Sequence, residues 1–369
     1  MKTTNNTTDV NGLSAKSNHN PSTTGLTGKL TTLGILLFYL FTFLPLSARG
    51  KYDNTDTLKV ARDGSGEFRT LNEAIEVCRA FMEYRKVIFV KKGIYKEKVI
   101  VPSWLTNIEI IGEDRDETII TFDDHANVKM AKIGAEPLPD MQLQTTYTQN
   151  MGTFRTYTVK VEGSDITFRN ITIENNAPRM GQAVALHTEG DRLKFVNCRI
   201  LGNQDTVYTG VANTRVYFLN CFINGTTDFI FGPSTAWFEN CEIRSKVNSY
   251  VTAASTPKDV KYGYVFNNCR LTADNGVDKV YLGRPWRAYA YTLFMNCDMG
   301  GHIVAEGWQN WPDYHDPAAE GIVRYLEYNN RGKGAQPKKR VGWSRQLTKK
   351  EAKAITPQAV FGDTDWLAE

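Results

Sequence analysis

A short segment that recurs along the chain limits the folds that this sequence can adopt. Residues 197–205 read NCRILGNQD and residues 220–228 read NCFINGTTD, which share the pattern N-C-x-I-x-G-x-x-D. The front half of this pattern occurs in six segments, whose asparagines are spaced by 20 to 28 residues: Asn170, Asn197, Asn220, Asn240, Asn268 and Asn296. Repeats of this length, each a short alternating strand with a polar corner, are typical of solenoids. Because no helical pattern lies between them, we predict an all-β fold, a parallel β-helix in which each repeat forms one coil.

Two carboxylates occupy the same place in adjacent repeats. Asp205 and Asp228 each follow a repeat asparagine by eight residues, so we expect them to stack on neighbouring coils. Parallel strands lie about 4.8 Å apart. Two acids at that separation do not both ionise easily, so their pKa values should differ, and one can act as an acid while the other acts as a base or nucleophile. The pair therefore favours an enzyme over a passive scaffold.

Size and charge are compatible with one elongated domain. The chain has 369 residues and a formal net charge of +4, and a solenoid reaches this length by repetition. A small positive net charge would not repel an acidic substrate, but it does not predict one either. The short basic stretch 338–340 is interpreted as a solvated loop rather than a binding patch, so we expect no nucleic-acid partner. We also expect a monomer.

The cysteines have two interpretations. Five of the six directly follow a repeat asparagine: Cys198, Cys221, Cys241, Cys269 and Cys297. Six cysteines in an exported protein would suggest disulfides, but identical positions on successive coils would instead form a buried ladder of free thiols. We predict the ladder. The sequence has no CxxC pair and its five histidines form no ligand cluster, so we expect neither a metal nor a cofactor.

The N-terminal region predicts export. Residues 1–29 are polar and should be disordered, whereas residues 30–48 form an apolar run that ends in small residues, as in a signal peptide. This run is also close to the minimum length of a membrane anchor. We therefore expect a secreted, periplasmic or cell-surface protein, anchored if the run is not cleaved, with the catalytic β-helix at 54–369.

Two capping boxes predict short helices that cover the ends of the solenoid. The first, 70–73, precedes the apolar spacing of Ala74, Ile75, Cys78 and Phe81, and the second, 348–351, should start a helix that packs back on the coils. Between them we predict strands at 86–90 and 108–112, a long loop at 124–152, and coils from about 153 to 300.

Other side chains could contribute to a site near the acid pair. Gln204 precedes Asp205, and Gln182 lies one coil earlier; a side-chain amide can stabilise an oxyanion, although a glutamine at a turn is often only a polar loop residue. Arg284 would keep a neighbouring acid ionised, although an isolated arginine is usually a surface cation. Four aromatic residues could offer flat apolar faces to sugar rings: Tyr208, Phe231, Trp286 and Trp308. Aromatic residues in strands, however, more often belong to the core.

Other catalytic motifs are missing from the sequence. It has no G-x-S-x-G elbow, no phosphate-binding loop and no G-x-G-x-x-G after a strand. A carboxylate is therefore the best candidate for a nucleophile.

Five motifs resemble those of the pectinesterases, also called pectin methylesterases, and occur in that family's order. They are GIYKE (93–97), GQAVAL (181–186), GNQDTVY (202–208), TDFIFG (227–232) and YLGRPW (281–286). The resemblance extends from about 56 to 366, and HIVAEGW (302–308) is more similar to bacterial members. It implies a right-handed parallel β-helix that removes methyl esters from the galacturonate units of pectin without a cofactor. The chain departs from the commoner QDTLY at Val207, and its 124–152 loop is longer than the family pattern.

The resemblance also implies roles for individual residues. Asp228 would be the nucleophile and Asp205 the general acid and base. Gln182 and Gln204 would shape the oxyanion site, Arg284 would hold Asp228, and Trp286 would contact the polymer.

Three rival functions remain on the same fold. A retaining glycosidase also places two carboxyls about 5 Å apart, but a β-helix glycosidase is expected to have adjacent aspartates, and Asp123-Asp124 lies outside the clear repeats. A calcium-dependent lyase needs further stacked acids, whereas the expected counterpart on the next coil is Asn248. A sugar-binding β-helix explains the repeats but not the acid pair together with Arg284.

Overall fold

The structure is a computed structural model that describes Tyr52 and residues 56–129, 150–311, 316 and 320–368. The predicted polar segment 1–29, the apolar segment 30–48 and residues 130–149 of the predicted loop lie outside the described residues. None of the helices within the described part is both long and apolar enough to cross a bilayer.

Short strands account for most of the regular structure. Those of the first half of the chain are, in order, β1 (Thr57–Val60), β2 (Lys86–Val90), β3 (Gly93–Lys96), β4 (Val99–Val101), β5 (Thr106–Gly112), β6 (Thr118–Phe122), β7 (Val159–Val161), β8 (Ser164–Arg169), β9 (Thr172–Asn175), β10 (Leu186–Thr188), β11 (Leu193–Val196), β12 (Arg199–Leu201) and β13 (Val207–Thr209). Those of the second half are β14 (Arg215–Leu219), β15 (Phe222–Gly225), β16 (Ile230–Gly232), β17 (Thr235–Glu239), β18 (Glu242–Ser245), β19 (Tyr250–Ala254), β20 (Tyr264–Asn267), β21 (Arg270–Ala273), β22 (Tyr281–Gly283), β23 (Tyr291–Met295), β24 (Asp298–Met299), β25 (Arg324–Tyr328) and β26 (Arg345–Gln346).

The strands form three parallel sheets that the chain visits in turn. Sheet 1 has the order β1-β2-β5-β8-β11-β14-β17-β20-β23-β25-β26, sheet 2 the order β3-β6-β9-β12-β15-β18-β21-β24, and sheet 3 the order β4-β7-β10-β13-β16-β19-β22. Neighbours within a sheet come from successive coils, and such crossovers are right-handed in nearly all proteins. The fold is therefore a right-handed parallel β-helix, as predicted. Its coils begin at β1 and continue to β26, which extends the predicted range of 153–300 at both ends.

The repeat becomes three stacked ladders inside the coils. The phenylalanines of sheet 1 pair in register and stack with ring centroids 4.3–5.5 Å apart: Phe168, Phe195, Phe218, Phe238, Phe266 and Phe294. The aliphatic position of the motif forms a second ladder in sheet 2, for example Ile200 between Ile173 and Ile223. Because each coil that carries the repeat buries the same positions, one sequence pattern builds the core from about Phe168 to Met299.

The cysteines form the third ladder, which confirms the prediction of free thiols. All six cysteines are free, and the five repeat cysteines are at most 2% exposed. Burial raises the pKa of the Cys198 thiol well above its ordinary value. The five repeat thiols are therefore small groups of the core.

The asparagines form the corner between sheets 1 and 2. Each repeat asparagine has φ between 51° and 56°, a left-handed conformation that asparagine adopts more readily than most residues. Some also bond to the next coil: Asn197 Nδ2 donates to Asn170 Oδ1 at 2.8 Å, and Asn329 Nδ2 donates to Asn296 Oδ1 at 2.9 Å. Asn329 makes the same corner at φ 49°, one coil beyond the repeats recognised in the sequence.

Both predicted capping boxes are formed. The helix Leu71–Glu76 begins at Thr70, and the helix Lys349–Lys353 begins at Thr348 and is followed by the helix Pro357–Phe361. Three 3₁₀ helices complete the described elements: Thr153–Arg155, Pro337–Lys339 and Asp365–Leu367.

The predicted helix at the C-terminal end of the solenoid packs as expected, whereas the helix at the N-terminal end is shorter than predicted. Ala352 and Phe361 pack against an outer apolar cluster of sheet 1 that includes Trp237, so the C-terminal helices do pack back on the coils. The prediction that Phe81 lies on the buried face of the first helix is wrong. That helix ends at Glu76, and Phe81 is 76% exposed at φ 55°.

Candidate active site

The two aspartates lie at equivalent corners that lead into sheet 3. Val207 pairs with Ile230 in register, and each aspartate precedes its paired residue by two positions. Asp205 has φ 65° and Asp228 has φ 49°, and their backbone N–H groups donate to the next coil, to Thr227 O and Tyr250 O respectively. The structure therefore brings the two acids together on adjacent coils, as predicted from their spacing.

The glycine of the motif is needed for close packing beside the acid. A Cβ on Gly225 would lie 2.2 Å from Phe229 Cβ and 2.8 Å from Asn203 O. Any side chain here would therefore push Phe229 and the corner that carries Asp228 out of place. The glycine at this position maintains the geometry of the acid pair.

Arg284 binds one of the two acids through both of its prongs. Its Nε donates to Asp228 Oδ1 at 3.1 Å and its Nη2 donates to Asp228 Oδ2 at 2.7 Å. The guanidinium lies between two aromatic rings, 4.2 Å from the centroid of Tyr250 and 4.0 Å from that of Trp311. Stacking and bidentate pairing fix the plane of the guanidinium and thus the orientation of the carboxylate.

The two carboxyls have different electrostatic surroundings. Burial and then the charge of Asp228 raise the pKa of Asp205 well above its ordinary value, against a smaller opposing effect of Arg284. Burial also raises the pKa of Asp228, but the hydrogen bonds and charge of Arg284 oppose that rise. Since, of the two acids, only Asp228 has a paired cation among the described residues, Asp228 ionises more readily than Asp205. The arrangement thus favours one carboxylate and one carboxylic acid on adjacent coils.

Both glutamines lie at the same corner. Ala183 N donates to Gln204 O at 3.0 Å and Ala126 N donates to Gln182 O at 2.8 Å, so Gln182 and Gln204 occupy matching places on adjacent coils. Their side chains are partly exposed. Among the described residues neither side-chain amide has a protein hydrogen-bond partner, which leaves its N–H groups for a ligand.

Aromatic rings extend from the acid pair along sheet 3. Tyr208 and Phe231 stack at 4.7 Å, and Phe231 meets Trp286 edge-on at 5.8 Å. Phe154, which is 47% exposed, adds a ring 4.8 Å from Tyr208. Phe231 is 4% exposed, so the apolar surface of this row comes from Tyr208, Phe154 and Trp286, and the predicted substrate contact of Phe231 is not available in this structure.

The prediction of Trp308 as a substrate-binding aromatic is wrong. Trp308 is 1% exposed, stacks on Tyr325 at 4.3 Å and donates through Nε1 to Glu327 Oε1 at 3.3 Å. It fills the interior of the last coils. Trp311, three residues further on, is the tryptophan that reaches Arg284. The W-x-x-W spacing was visible in the sequence, but it does not tell which ring faces inward.

The counterpart of Asp228 on the next coil also differs from the prediction. Ile230 pairs with Thr252, which aligns Asp228 with Tyr250 rather than with Asn248. Thr252 follows Glu242 by ten positions, whereas their register partners Ile230 and Phe222 are eight positions apart, so counting from the asparagine fails there. Among the described residues, no group of three or more His, Cys, Asp and Glu side chains is placed to hold a metal ion.

Comparison with known proteins agrees with this geometry. The pectinesterase family model matches residues 57–135 and 141–364. The chain belongs to the pectinesterase family. A probable pectinesterase/pectinesterase inhibitor of Brassica napus is 36% identical over 324 residues, which cover 84% of this chain and 50% of the relative. This chain thus spans about half the length of the first curated relatives it matches.

Solved pectinesterase structures share the fold. Pectin methylesterase from carrot superimposes with a TM-score of 0.73 at 33% identity, covering 84% of this chain and 94% of the carrot chain. A pectin methylesterase in complex with a hexasaccharide gives a TM-score of 0.69 at 27% identity, covering 83% of this chain and 97% of that chain. That HIVAEGW (302–308) is more similar to bacterial members than to others stays a prediction.

Proposed function

We propose that this protein is a pectinesterase that hydrolyses the methyl esters of galacturonate units in pectin and yields pectate and methanol. The observation that carries the proposal is that both prongs of Arg284 hold Asp228, while Asp205 on the adjacent coil has no paired cation in the described part of the chain and has a raised pKa. A carboxylate next to a carboxylic acid supplies a nucleophile and a proton donor for acyl transfer.

In the first half of the reaction, Asp228 attacks the C6 carbonyl carbon of a methylated galacturonate. The carbonyl oxygen becomes an oxyanion, which the side-chain amides of Gln182 and Gln204 stabilise by donating hydrogen bonds. The C–O bond to methanol then breaks as Asp205 gives its proton to the leaving oxygen. The products of this half are methanol and an acyl-enzyme anhydride on Asp228.

In the second half, the now ionised Asp205 takes a proton from water, and the resulting hydroxide attacks the anhydride carbonyl. The acyl bond breaks, which frees galacturonic acid and regenerates ionised Asp228 and protonated Asp205; the released acid then gives its proton to solvent and becomes the galacturonate carboxylate. Arg284 compensates the charge on Asp228 in the resting enzyme and releases none of its protons. These steps use only side chains of this chain.

The polymer would bind along the aromatic row. Trp286 and Tyr208 are partly exposed rings that flank the buried Phe231, and sugar rings pack on exposed aromatic faces through their C–H groups. A related pectin methylesterase has been crystallised with a hexasaccharide, which supports an oligosaccharide ligand for this site. We infer a monomeric enzyme acting on methyl-esterified homogalacturonan.

We infer the following organisation for the rest of the chain. Residues 54–369 are the catalytic domain, 30–48 direct export as a signal peptide or anchor, and 1–29 are a polar leader. Export fits a polymeric substrate of the cell wall that does not enter cells. Detecting the mature N-terminus of the secreted protein by mass spectrometry would distinguish cleavage from anchoring.

One assay separates the proposed activity from its rivals. The protein is incubated with highly methylated pectin, and methanol, new reducing ends and unsaturated products are measured together. A pectinesterase releases methanol alone, a glycosidase produces reducing ends, and a lyase produces unsaturated ends. Binding without any product would instead indicate a sugar-binding β-helix and would overturn the proposal.

A further inference from the structure

A cationic groove lies on the outer face of sheet 2, away from the acid pair. It has a volume of about 520 Å³. Four arginines line it, Arg115, Arg199, Arg244 and Arg270, together with two acids, Asp116 and Glu242. Four positive and two negative side chains leave a local charge of +2, on a face for which the proposed mechanism has no use.

Both acids of the groove are ionised. The hydrogen bond from Arg115 lowers the pKa of Asp116. Burial of Glu242 opposes ionisation, but hydrogen bonds from Thr272 and Arg270 outweigh it and lower the pKa of Glu242. Since both acids stay ionised, the local charge of the groove remains +2 at neutral pH.

The arginines are held in place yet keep donors for a ligand. Arg199 Nη1 contacts Asp116 Oδ1 at 3.1 Å and Arg244 Nη2 contacts Glu242 Oε1 at 3.1 Å. Each guanidinium has five N–H groups, so these contacts use only part of its capacity. The side chains of Arg199 and Arg244 remain 32% and 40% exposed.

Phe222 sets the spacing between two of these arginines. It pairs in register with Arg199 on one side and Glu242 on the other. The guanidinium carbons of Arg199 and Arg244 lie 5.8 Å and 5.5 Å from the centroid of its ring. A partly buried ring that contacts both guanidiniums reduces their rotational freedom, which lowers the entropy lost when they bind a ligand.

The groove and the acid pair lie on the same two coils. Arg199 and Asp205 are six residues apart on one coil, and Phe222 and Asp228 are six residues apart on the next. Six residues span at most about 20 Å. A polymer bound at the acids thus has its neighbouring segments within reach of the groove.

We propose that this groove binds a de-esterified, carboxylate-bearing stretch of galacturonan. The identity of the ligand rests on the proposed function, because each turnover converts a neutral ester into a carboxylate. Guanidiniums recognise carboxylates through paired hydrogen bonds, and the groove offers several of them at strand spacing. Product segments held there keep the enzyme on the polymer while the acid pair acts on the next esters.

Titration calorimetry with polygalacturonate tests the groove without turnover. In a full-length Asp228→Asn background, the added Arg199→Gln and Arg244→Gln substitutions should weaken binding about tenfold or more, since charged hydrogen bonds are lost. The matched control, Lys338→Gln with Lys339→Gln, removes the same charge from two exposed side chains and should leave the affinity unchanged. Phe222→Leu tests the same site with the charge intact and should weaken binding by a smaller factor.

A kinetic comparison tests the consequence for catalysis. With Asp228 intact, the two arginine substitutions should raise KM for partly de-esterified pectin and leave methanol release from a short, fully methylated oligomer unchanged. Binding that is lost in the lysine control to the same extent would reflect net charge alone and would overturn the proposal. So would an affinity that falls with Trp286→Ala but not with the groove substitutions.

The two proposals fail in different ways. If the wild-type protein binds polygalacturonate through the groove but releases no methanol from pectin, the proposed function is wrong and the anionic site stands. If methanol is released but the groove variants bind as tightly as their parent, the function stands and the site is wrong.

Discussion

Asp205 and Asp228 occupy equivalent corners but differ in what surrounds them. Both are buried, which by itself favours the protonated form. Arg284 pairs with Asp228, and the resulting charge makes ionisation of Asp205 still harder. One cation, 56 residues along the chain from Asp228, therefore makes Asp228 easier to ionise than the otherwise similar Asp205.

Asp228→Asn should abolish methanol release without disturbing the fold. The amide keeps the size of the side chain but is a poor nucleophile. We expect kcat to fall to well below a tenth of the wild-type value, measured as methanol released from methylated pectin, where each tenfold is about 1.4 kcal/mol. Asp259→Asn, the same change at an exposed site, should leave kcat unchanged. Retention of more than about a tenth of kcat in Asp228→Asn would remove Asp228 from the nucleophile role.

Arg284→Ala should shift the acidic limb of the pH profile of kcat/KM to higher pH. Arg284 opposes the burial effect on Asp228, so without it the pKa of Asp228 rises and a higher pH is needed to form the nucleophile. Arg284→Lys keeps the charge but loses the paired contact and should shift the limb less. An unmoved acidic limb in the alanine variant would show that Arg284 does not set the ionisation of the nucleophile.

Asp205→Asn should stabilise the fold increasingly as pH rises, although it impairs catalysis. The folded-state pKa of Asp205 is raised above its unfolded value, so its contribution to stability is complete below the unfolded pKa and is lost as pH rises through the folded pKa. The asparagine does not titrate and avoids this loss. The difference in Tm between variant and wild type should grow between acidic and neutral pH. A difference that stays constant over this pH range would contradict the raised pKa of Asp205.

At the scale of the elements, the coils that carry the repeat place the same residue types at the same corner and core positions. Asparagine takes the left-handed corner, cysteine fills the space behind it, and phenylalanine and isoleucine stack on the sheets either side. Cysteine is suited to the corner because it is small and its Sγ can bond to a backbone carbonyl, as Cys221 Sγ does to Phe195 O at 3.3 Å.

The five repeat cysteines should be reduced in the exported protein. Denaturing alkylation without reductant, followed by mass spectrometry, should find every one of these thiols modified. Alkylation of the folded protein should leave the same five unmodified, because they are at most 2% exposed. Recovery of two or more of them in disulfide-linked peptides would contradict the ladder.

Over the whole molecule, the solenoid ends are closed by different means. The first end is covered by a single capped helix, whereas the last coils are tied by a buried ion pair. Arg340 and Glu327 have side chains that are 2% and 3% exposed, with contacts of 2.8 Å and 3.1 Å. Arg340 also donates to the carbonyls of Ala305 at 3.0 Å and Gly334 at 2.8 Å, so one side chain connects three segments of the last coils.

Arg340→Met should destabilise the protein by about 3–5 kcal/mol, because it leaves Glu327 buried without its partner. Unfolding in urea, followed by circular dichroism, measures the change. Arg331→Met is the matched control: its ion pair with Asp298 is 3.6 Å long and its side chain is 70% exposed, so the cost should stay below about 1 kcal/mol. Similar losses in both variants would show that burial of the pair is not what matters.

The sequence by itself determined the features that repeat or that depend on near neighbours. The corner asparagines, the stacked Phe, Cys and Ile positions and the alignment of Asp205 with Asp228 follow from one pattern, because equal offsets place residues on equal positions of adjacent coils. Both capping boxes are local as well, since the bonding residues are three apart. These predictions needed no knowledge of long-range contacts.

Only the tertiary structure decided contacts that cross coils of unequal length. The pairing of Arg284 with Asp228, the sandwich of Arg284 between Tyr250 and Trp311, and the burial of Trp308 all depend on how long each corner is. Corner length varies freely, because a loop that faces solvent can gain two residues without disturbing the stacked core. The repeat pattern that builds the stacked core therefore does not predict which side chains from different coils contact each other at the corners.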